Sequence, residues 1–206
     1  MTDADGDTFR TVDEAATASF VVQGSEFIGH VAPMDSVAKA EAFVEEVRTT
    51  YDDATHNVPA YRVRVDAESA FLREYASDAD EPSGSAGKPA LNVLQGKELE
   101  NVAAVVTRYY GGTNLGIGGL VSAYGRAVSE AVEAAGVVEE RPHETIDVAV
   151  DYDDSGTVRS ILESEGVEFE ATYDERAAFE VRAPVAAADA LRDRLRSATS
   201  DRVEFE

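Results

Sequence analysis

The sequence predicts an α+β protein of two domains, residues 1–141 and 142–206, and three observations support this. The chain has 206 residues, enough for one large or two small domains with real cores. Segments with a hydrophobic period of two alternate with segments of helical period, which argues against an all-helical or all-strand fold. A polar stretch with a proline, residues 139–144, separates the two parts and predicts the junction.

The hydrophobic pattern of the N-terminal domain predicts a hairpin around Gly24 and Ser25, followed by helices and further strands. Residues 102–107 form a continuous apolar run rich in β-branched side chains, which is typical of a central strand. In chain order we predict strands 17–23 and 26–32, helix 36–50, strands 60–65 and 70–75, a polar loop 77–89, strand 102–107 and helix 118–135.

The hydrophobic pattern of the C-terminal domain predicts the order βαββαβ, which is the ferredoxin-like signature. Ser155 is placed to cap the first helix, Gly166 to end it and Pro184 to open the second helix. The predicted elements are strand 145–150, helix 155–165, strands 167–173 and 178–183, helix 184–197 and strand 203–205.

The most unusual feature of the composition is its acidity. There are 41 acidic and 18 basic residues, a net charge of −23, and Lys is far rarer than Arg. This balance is typical of cytoplasmic proteins of halophiles that accumulate salt, because molar salt screens repulsion between exposed acids. At low salt such a charge cannot attract nucleic acid as a whole.

The composition also excludes several classes of site. The chain has no cysteine, so disulfides, thiol catalysis and thiolate metal sites are excluded. It has no run of 18 apolar residues, and its acidic start fits neither a signal nor a transit peptide. We therefore expect a cytoplasmic protein that needs no metal, cofactor or membrane.

The densest functional signal is the segment 108–124, RYYGGTNLGIGGLVSAY, between a buried strand and a helix. Its glycines expose backbone N–H groups, and the start of the helix adds the positive end of its dipole. The segment therefore favours phosphate or an RNA backbone as a ligand. Tyr109 and Tyr110 offer surfaces on which bases can stack. Neither a Walker A loop nor GxGxxG is matched, and a tight turn with close packing is the alternative interpretation.

Two further segments carry polar side chains that could serve a site. Residues 77–89, SDADEPSGSAGKP, lack the spacing of a calcium loop, and no partner for a Ser83 nucleophile can be assigned; an ordered loop is the alternative. In residues 54–62, ATHNVPAYR, His56 is either structural or functional. Strand alternation places Arg62 and Arg64 on one face, either as a phosphate-positioning pair or as a solvated surface.

These three segments, in this order, resemble the IMPACT/YigZ family, whose patterns are ATHxxxAYR, DGEPSGTAGKP and TRYFGGxxLGxGGLxRAY. The resemblance spans nearly the whole chain, and the composition suggests a haloarchaeal member. Two departures stand out: Glu81 follows Asp80 with no glycine between them, and Ser122 replaces the usual arginine.

The resemblance implies a fold and a role. The N-terminal domain would be similar to domain IV of elongation factor G and to the GHMP kinases, with a left-handed βαβ crossover. The C-terminal domain would be similar to domain V of that factor. Family members act in regulation of translation without a settled catalytic activity, so RNA, the ribosome or a protein of translation are the expected partners.

Two other functions stay open: a nucleotide- or phosphate-binding enzyme that uses the glycine turn 111–119, and a protein-interaction module. For an RNA- or phosphate-binding site we expect the three segments to converge on one concave surface of the N-terminal domain, whereas segments on different faces would favour the protein-interaction module. The other motif residues are His56, Asp80, Glu81, Ser83 and Ser85. The candidate nucleic-acid or phosphate ligands are Arg62, Arg64, Lys88, Arg108, Tyr109, Tyr110, Gly111, Gly112, Gly116, Gly118, Gly119 and Arg126.

The acidity leads to a prediction about stability. Lowering the salt should lower the melting temperature, because the Debye length grows from about 3 Å at molar salt to about 30 Å at 0.01 M and repulsion between acids returns. Thermal melts in about 3 M and about 0.01 M KCl measure this effect. Equal midpoints at the two salt concentrations would show that the acidity has another cause.

Overall fold

The computed structural model describes residues 8–65 and 71–205, so Ala70 of the predicted strand 70–75 lies outside the described residues. The chain divides into two compact units, Met1–Glu140 (unit 1) and Arg141–Glu206 (unit 2). Both combine helices with sheet, which confirms the α+β class. Within the described residues, no helix is long and apolar enough to cross a membrane.

Unit 1 is built on a sheet with the strand order β2-β3-β6-β4-β5, in which each neighbouring pair is antiparallel. The strands β1 and β7 pair separately as a short antiparallel ribbon. The strands are β1 Phe9–Val12, β2 Ala16–Val22, β3 Ser25–Pro33, β4 His56–Arg64, β5 Leu72–Ala76, β6 Val102–Tyr109 and β7 Val137–Glu140, and the helices are α1 Val37–Thr50, α2 Gly87–Gly96 and α3 Gly116–Ala135.

The central strand β6 is buried on both faces, as its apolar run predicts. Val105 packs against α1, whereas Val106, its neighbour, belongs to the cluster formed with α2 and α3. Because successive side chains of a strand point to opposite faces, α1 covers one face of the sheet, and α2 and α3 cover the other. Helix α3 lies so close to β3 that a Cβ on Gly29 would come within 2.2 Å of the Ala127 carbonyl oxygen.

Four parts of unit 1 differ from the predictions. Strand β4 begins at His56, four residues before the predicted start at residue 60, which the sequence pattern does not show because Pro59 interrupts it. Residues 87–89 start helix α2, not the end of a loop, because proline fits the first turn of a helix, where its missing N–H is not needed. The ribbon β1-β7 was not predicted, since its strands are too short to show a clear period. The hairpin turns at Gln23 and Gly24, both with positive φ, one residue earlier than predicted.

Unit 2 confirms the predicted βαββαβ order, and its sheet has the antiparallel strand order β11-β8-β10-β9. Ser155 lies inside α4 and its hydroxyl donates back to the Tyr152 carbonyl, so the predicted cap is wrong; the helix starts three residues earlier. Gly166 ends this helix in the left-handed conformation, as predicted. The elements are β8 His143–Val150, α4 Tyr152–Glu165, β9 Glu168–Tyr173, β10 Ala177–Pro184, α5 Val185–Thr199 and β11 Glu204–Phe205.

One exposed row of this sheet consists of acids placed side by side. Glu180 of β10 lies opposite Asp147 of β8 on one side and Glu170 of β9 on the other, and all three are exposed. Like charges directly opposite each other destabilise a sheet. We therefore expect salt to stabilise unit 2 by screening this row, so the row is one place where the predicted salt dependence of the melting temperature arises.

A buried histidine sits on the opposite face of the unit 1 sheet from α2 and α3. His30 is 6% exposed, with Nε2 3.3 Å from the Thr107 hydroxyl oxygen and Nδ1 3.4 Å from that of Thr17. Thr107 donates its own proton to the Asn57 side-chain oxygen, so Nε2 of His30 donates to Thr107 and Nδ1 accepts from Thr17. Burial lowers the pKa of His30 from 6.5 to about 4.

This shift predicts a loss of stability in mild acid. The folded state keeps His30 neutral, so its contribution is present above pH 6.5 and is lost as pH falls towards about 4. The original protein should lose unfolding free energy between pH 7.5 and pH 4.5 at constant salt. We expect His30→Gln to lose less over the same pH range, by roughly 3 kcal/mol. His143→Gln in unit 2 is the matched control, and equal pH dependence in both variants would contradict the assignment.

Candidate functional site

The three polar segments meet around one pocket of unit 1, which confirms their predicted convergence. The pocket has a volume of about 540 Å³, and we call it the Arg108 pocket. Its lining residues are Thr55, His56, Glu81, Pro82, Arg108, Tyr110, Asn114, Leu115, Gly116, Ile117 and Leu120.

Sheet register brings the polar floor of the pocket together. His56 begins β4 directly opposite Arg108 near the end of β6. Both side chains are on the face that α2 and α3 cover, since they are an even number of residues from Val58 and Val106. The loop before α2 then lays Glu81 against Arg108, 27 residues away in sequence.

Glu81 and Arg108 form a buried ion pair. Their side chains are 4% and 5% exposed, and Arg108 Nη1 donates to Glu81 Oε1. The Tyr124 hydroxyl donates to the same oxygen at 2.7 Å. Burial, and next the bond to Glu81, raise the pKa of Tyr124 far above its ordinary value, so the hydroxyl keeps its proton and stays a donor.

A backbone carbonyl group determines which ring nitrogen of His56 carries the proton. Its Nδ1 lies 2.7 Å from the Ala79 carbonyl oxygen, which can only accept, so Nδ1 carries the proton. The other nitrogen, Nε2, lies 3.7 Å from Glu81 Oε1. Neutral His56 therefore presents an acceptor at the floor of the pocket, and protonated His56 adds a second cation beside Glu81.

The Arg108 guanidinium contacts two aromatic rings, 5.3 Å from the Phe27 centroid and 5.4 Å from that of Tyr110. Its Nη2 donates to Ser25 Oγ at 3.3 Å. Its Nε is fully buried, yet no atom of residues 8–65 or 71–205 accepts a hydrogen bond from it. A buried donor without a partner is uncommon in native proteins, and here it lies on a residue that lines the pocket.

The loop before α2 is held by Asp78. Its carboxylate accepts from the backbone N–H groups of Gly84, Ala86 and Gly87, so it caps α2 from a distance. Burial works to raise its pKa, but these three donors outweigh burial and lower it. Asp80 has a φ of 70°, so it stands in the left-handed conformation that glycine favours and takes the place of the glycine in DGEPSG.

The two serines of this loop have different surroundings. Ser85 is buried and its hydroxyl donates to the Pro82 carbonyl, which gives it a structural contact. Ser83 is exposed and does not line the pocket.

The glycines of the turn serve different purposes. Gly111 packs against the backbone of Gly24, where an added Cβ would come within 1.9 Å, and its N–H donates to Ser25 Oγ. Close packing, the alternative interpretation, is therefore confirmed at Gly111. Gly112 and Gly116 adopt φ of 85° and 71°. Among the described residues no atom would touch a Cβ at Gly118, whereas one at Gly119 would meet the Leu115 side chain.

Most of the predicted basic ligands lie away from the pocket. Arg62 and Arg64 do share a strand face, but they bond Glu74 and Glu100. In the sheet Arg62 is opposite Val102, six residues along β6 from Arg108, or about 20 Å. Arg126 bonds Glu130 on α3 and stacks over Phe20, and Lys88 is exposed on α2.

The two tyrosines also differ. Tyr110 lines the pocket with 46% of its surface exposed. The Tyr109 hydroxyl instead donates to Asp53, outside the pocket, and that bond, followed by partial burial and the charge of Asp53, raises the pKa of Tyr109 to about 12.

The sequence analysis missed two residues that build the floor. Tyr124 entered the sequence analysis only as the last residue of the segment 108–124, and Ser25 only as part of a turn. Ser25 is fully buried and accepts bonds from both Arg108 and Gly111. A serine next to a hairpin glycine gives no signal of such a contact, because its partners lie more than 80 residues away. No group of three or more His, Cys, Asp or Glu in the described part of the chain could hold a metal ion.

Two family models match the chain. The Impact N-terminal domain matches residues 23–132, and a domain of unknown function, DUF1949, matches residues 148–202. IMPACT family member YvyE of Bacillus subtilis is 36% identical over 180 residues, 82% of this chain and 81% of the relative.

Two further known proteins are similar to this chain, one over about half of its length and one over nearly all of it. YigZ of Escherichia coli is 45% identical over 111 residues, 54% of this chain and 53% of the relative. A solved structure described as a hypothetical protein has a TM-score of 0.66 and 29% identity, and covers 96% of both chains. The matched domain contains all three segments around the pocket, and the chain belongs to the IMPACT family.

Proposed function

We propose that this protein associates with RNA or the ribosome, that it acts in regulation of translation without catalysing a reaction, and that the Arg108 pocket is its contact site. The observation that carries the proposal is an exposed aromatic wall beside a polar floor, in which the Glu81 carboxylate oxygen Oε2 receives no hydrogen bond from the described residues. A donor group of a ligand would bond that oxygen, and Tyr110 offers the ligand a ring face.

The contact does not depend on a basic surface. The arginines that the sequence suggested as phosphate ligands bond acids instead, and the net charge of the chain is −23. At molar salt, counterion release adds little to binding, so affinity has to come from stacking and hydrogen bonds. The pocket supplies groups of both kinds.

The role in translation rests on the family. The resemblance of the three segments implies it, and the likeness of the two units to domains IV and V of elongation factor G, with the GHMP kinases as further relatives of the fold, stays a prediction. A cytoplasmic location and a protein partner in translation are proposals on the same basis.

The phosphate-binding enzyme is the second candidate, because one observation favours it. The first turn of α3, with Gly116 and Ile117, lines the pocket, and a helix N-terminus attracts anions. Against it, the Glu81–Arg108 pair has no net charge, so the floor lacks the positive charge that holds a phosphate. We therefore favour the non-catalytic role.

Gly112→Val tests the contact site. Its φ of 85° is strained for valine, but no described atom lies within 4 Å of the added Cβ, so the turn is distorted without a clash. We expect the variant to lose most of its sedimentation with ribosomal subunits in a lysate of the source organism at about 3 M KCl.

Gly166→Val is the matched control, since Gly166 has a φ of 69° and equally open surroundings within the described residues, but lies in unit 2. It should sediment like the original protein. An original protein that stays in the soluble fraction at every salt concentration, or a Gly112→Val variant that sediments normally, would contradict the proposal.

A further inference from the structure

We infer that the Arg108 pocket binds one unstacked nucleobase with an exocyclic amino group, held against the Tyr110 ring. This inference rests on the proposed function and deepens it, since it names what part of an RNA strand enters the site. Three features of the pocket lead to it: its walls, the hydrogen-bonding groups of its floor, and the balance of its charges.

The walls suit a flat apolar ring. Apart from Tyr110, the apolar lining comes from Pro82, Leu115, Ile117 and Leu120. Tyr110 is 46% and Ile117 64% exposed, so large apolar side chains face open space at the mouth. Single-stranded bases that leave the stack are held on such aromatic faces, and every base has a face to offer.

The floor offers two hydrogen-bond acceptors. Glu81 Oε1 receives bonds from Arg108 and Tyr124, whereas nothing within the described residues donates to Glu81 Oε2. His56 Nε2 is the second acceptor, because Nδ1 carries the ring proton and donates it to the Ala79 carbonyl. A ligand that completes this floor needs two donors, one for the carboxylate oxygen and one for the imidazole nitrogen. An exocyclic amino group has two N–H bonds, whereas the base-pairing edge of uracil has a single N–H.

The charges favour a neutral ring over a phosphate. Glu81 and Arg108 cancel each other, and both are buried, so the floor has no net charge when His56 is neutral. An anion would gain no net attraction from this neutral pair, whereas a neutral ring needs none. A pocket of about 540 Å³ also fits the ordinary range for small ligands and is large enough for a base with its sugar at the mouth.

The test uses matched RNA oligomers of about ten nucleotides, made of cytidine, of uridine, or of abasic ribose phosphate. Cytosine and uracil have the same size, but only cytosine has an exocyclic amino group. By fluorescence anisotropy at about 3 M KCl, we expect the cytidine oligomer to bind about tenfold tighter than the uridine oligomer. The abasic oligomer should not bind detectably, because it offers phosphates without a ring.

Variants of Tyr110 test the wall. Tyr110→Ala should weaken cytidine binding about tenfold or more, since a base loses its stacking partner. Tyr110→Phe keeps the ring and loses only the hydroxyl bond to Asn114, so its binding should stay within about twofold. Tyr173→Ala removes a tyrosine of the same 46% exposure from unit 2 and should bind like the original protein. Thermal melts of each variant show that it is folded.

The outcomes separate the inference from the proposed function. Equal binding of the abasic and cytidine oligomers, equal binding of cytidine and uridine, or normal binding by Tyr110→Ala would overturn the inference while RNA association stands. Sedimentation with ribosomal subunits without affinity for any oligomer would also overturn it, and would indicate a protein contact. A protein that neither binds RNA nor sediments with subunits would overturn both.

Discussion

The buried ion pair between Glu81 and Arg108 is the interaction on which the pocket depends. It joins the loop before α2 to the end of the central strand, and Tyr124 and His56 approach the same carboxylate oxygen from α3 and β4. Removing one partner of such a pair leaves an uncompensated buried charge, at a cost of about 3–5 kcal/mol. The pair therefore both fixes the geometry of the floor and makes its charge neutral.

That neutrality fits the rest of the molecule. Outside the pocket the chain carries a large acid excess, and some acids lie side by side, as Asp147, Glu180 and Glu170 do. We expect such a surface to be more stable at high salt, and high salt also removes most of the benefit of phosphate contacts. A site that works under those conditions has to use ring faces and short hydrogen bonds, which are the groups that this pocket presents.

Much of the fold could be predicted because the core strands and helices have clear periods, as in β6, α3 and the element order of unit 2. Helix α2 was missed because Gly87 and Pro89 are residues that favour turns, and its cap comes from Asp78, nine residues before. The convergence of the three segments could also be predicted. The roles of Arg62 and Arg64 could not, since alternation gives a shared face but not the acids that other elements bring to it.

The most direct test of the central pair is a double-mutant cycle with Glu81→Met and Arg108→Met, followed by the free energy of unfolding at constant high salt. We predict that each single variant loses about 3–5 kcal/mol, while the double variant loses clearly less than the sum, because two apolar side chains replace the pair without leaving a charge. Losses that simply add would show that the two residues act independently, and would contradict the central role of the pair in the pocket.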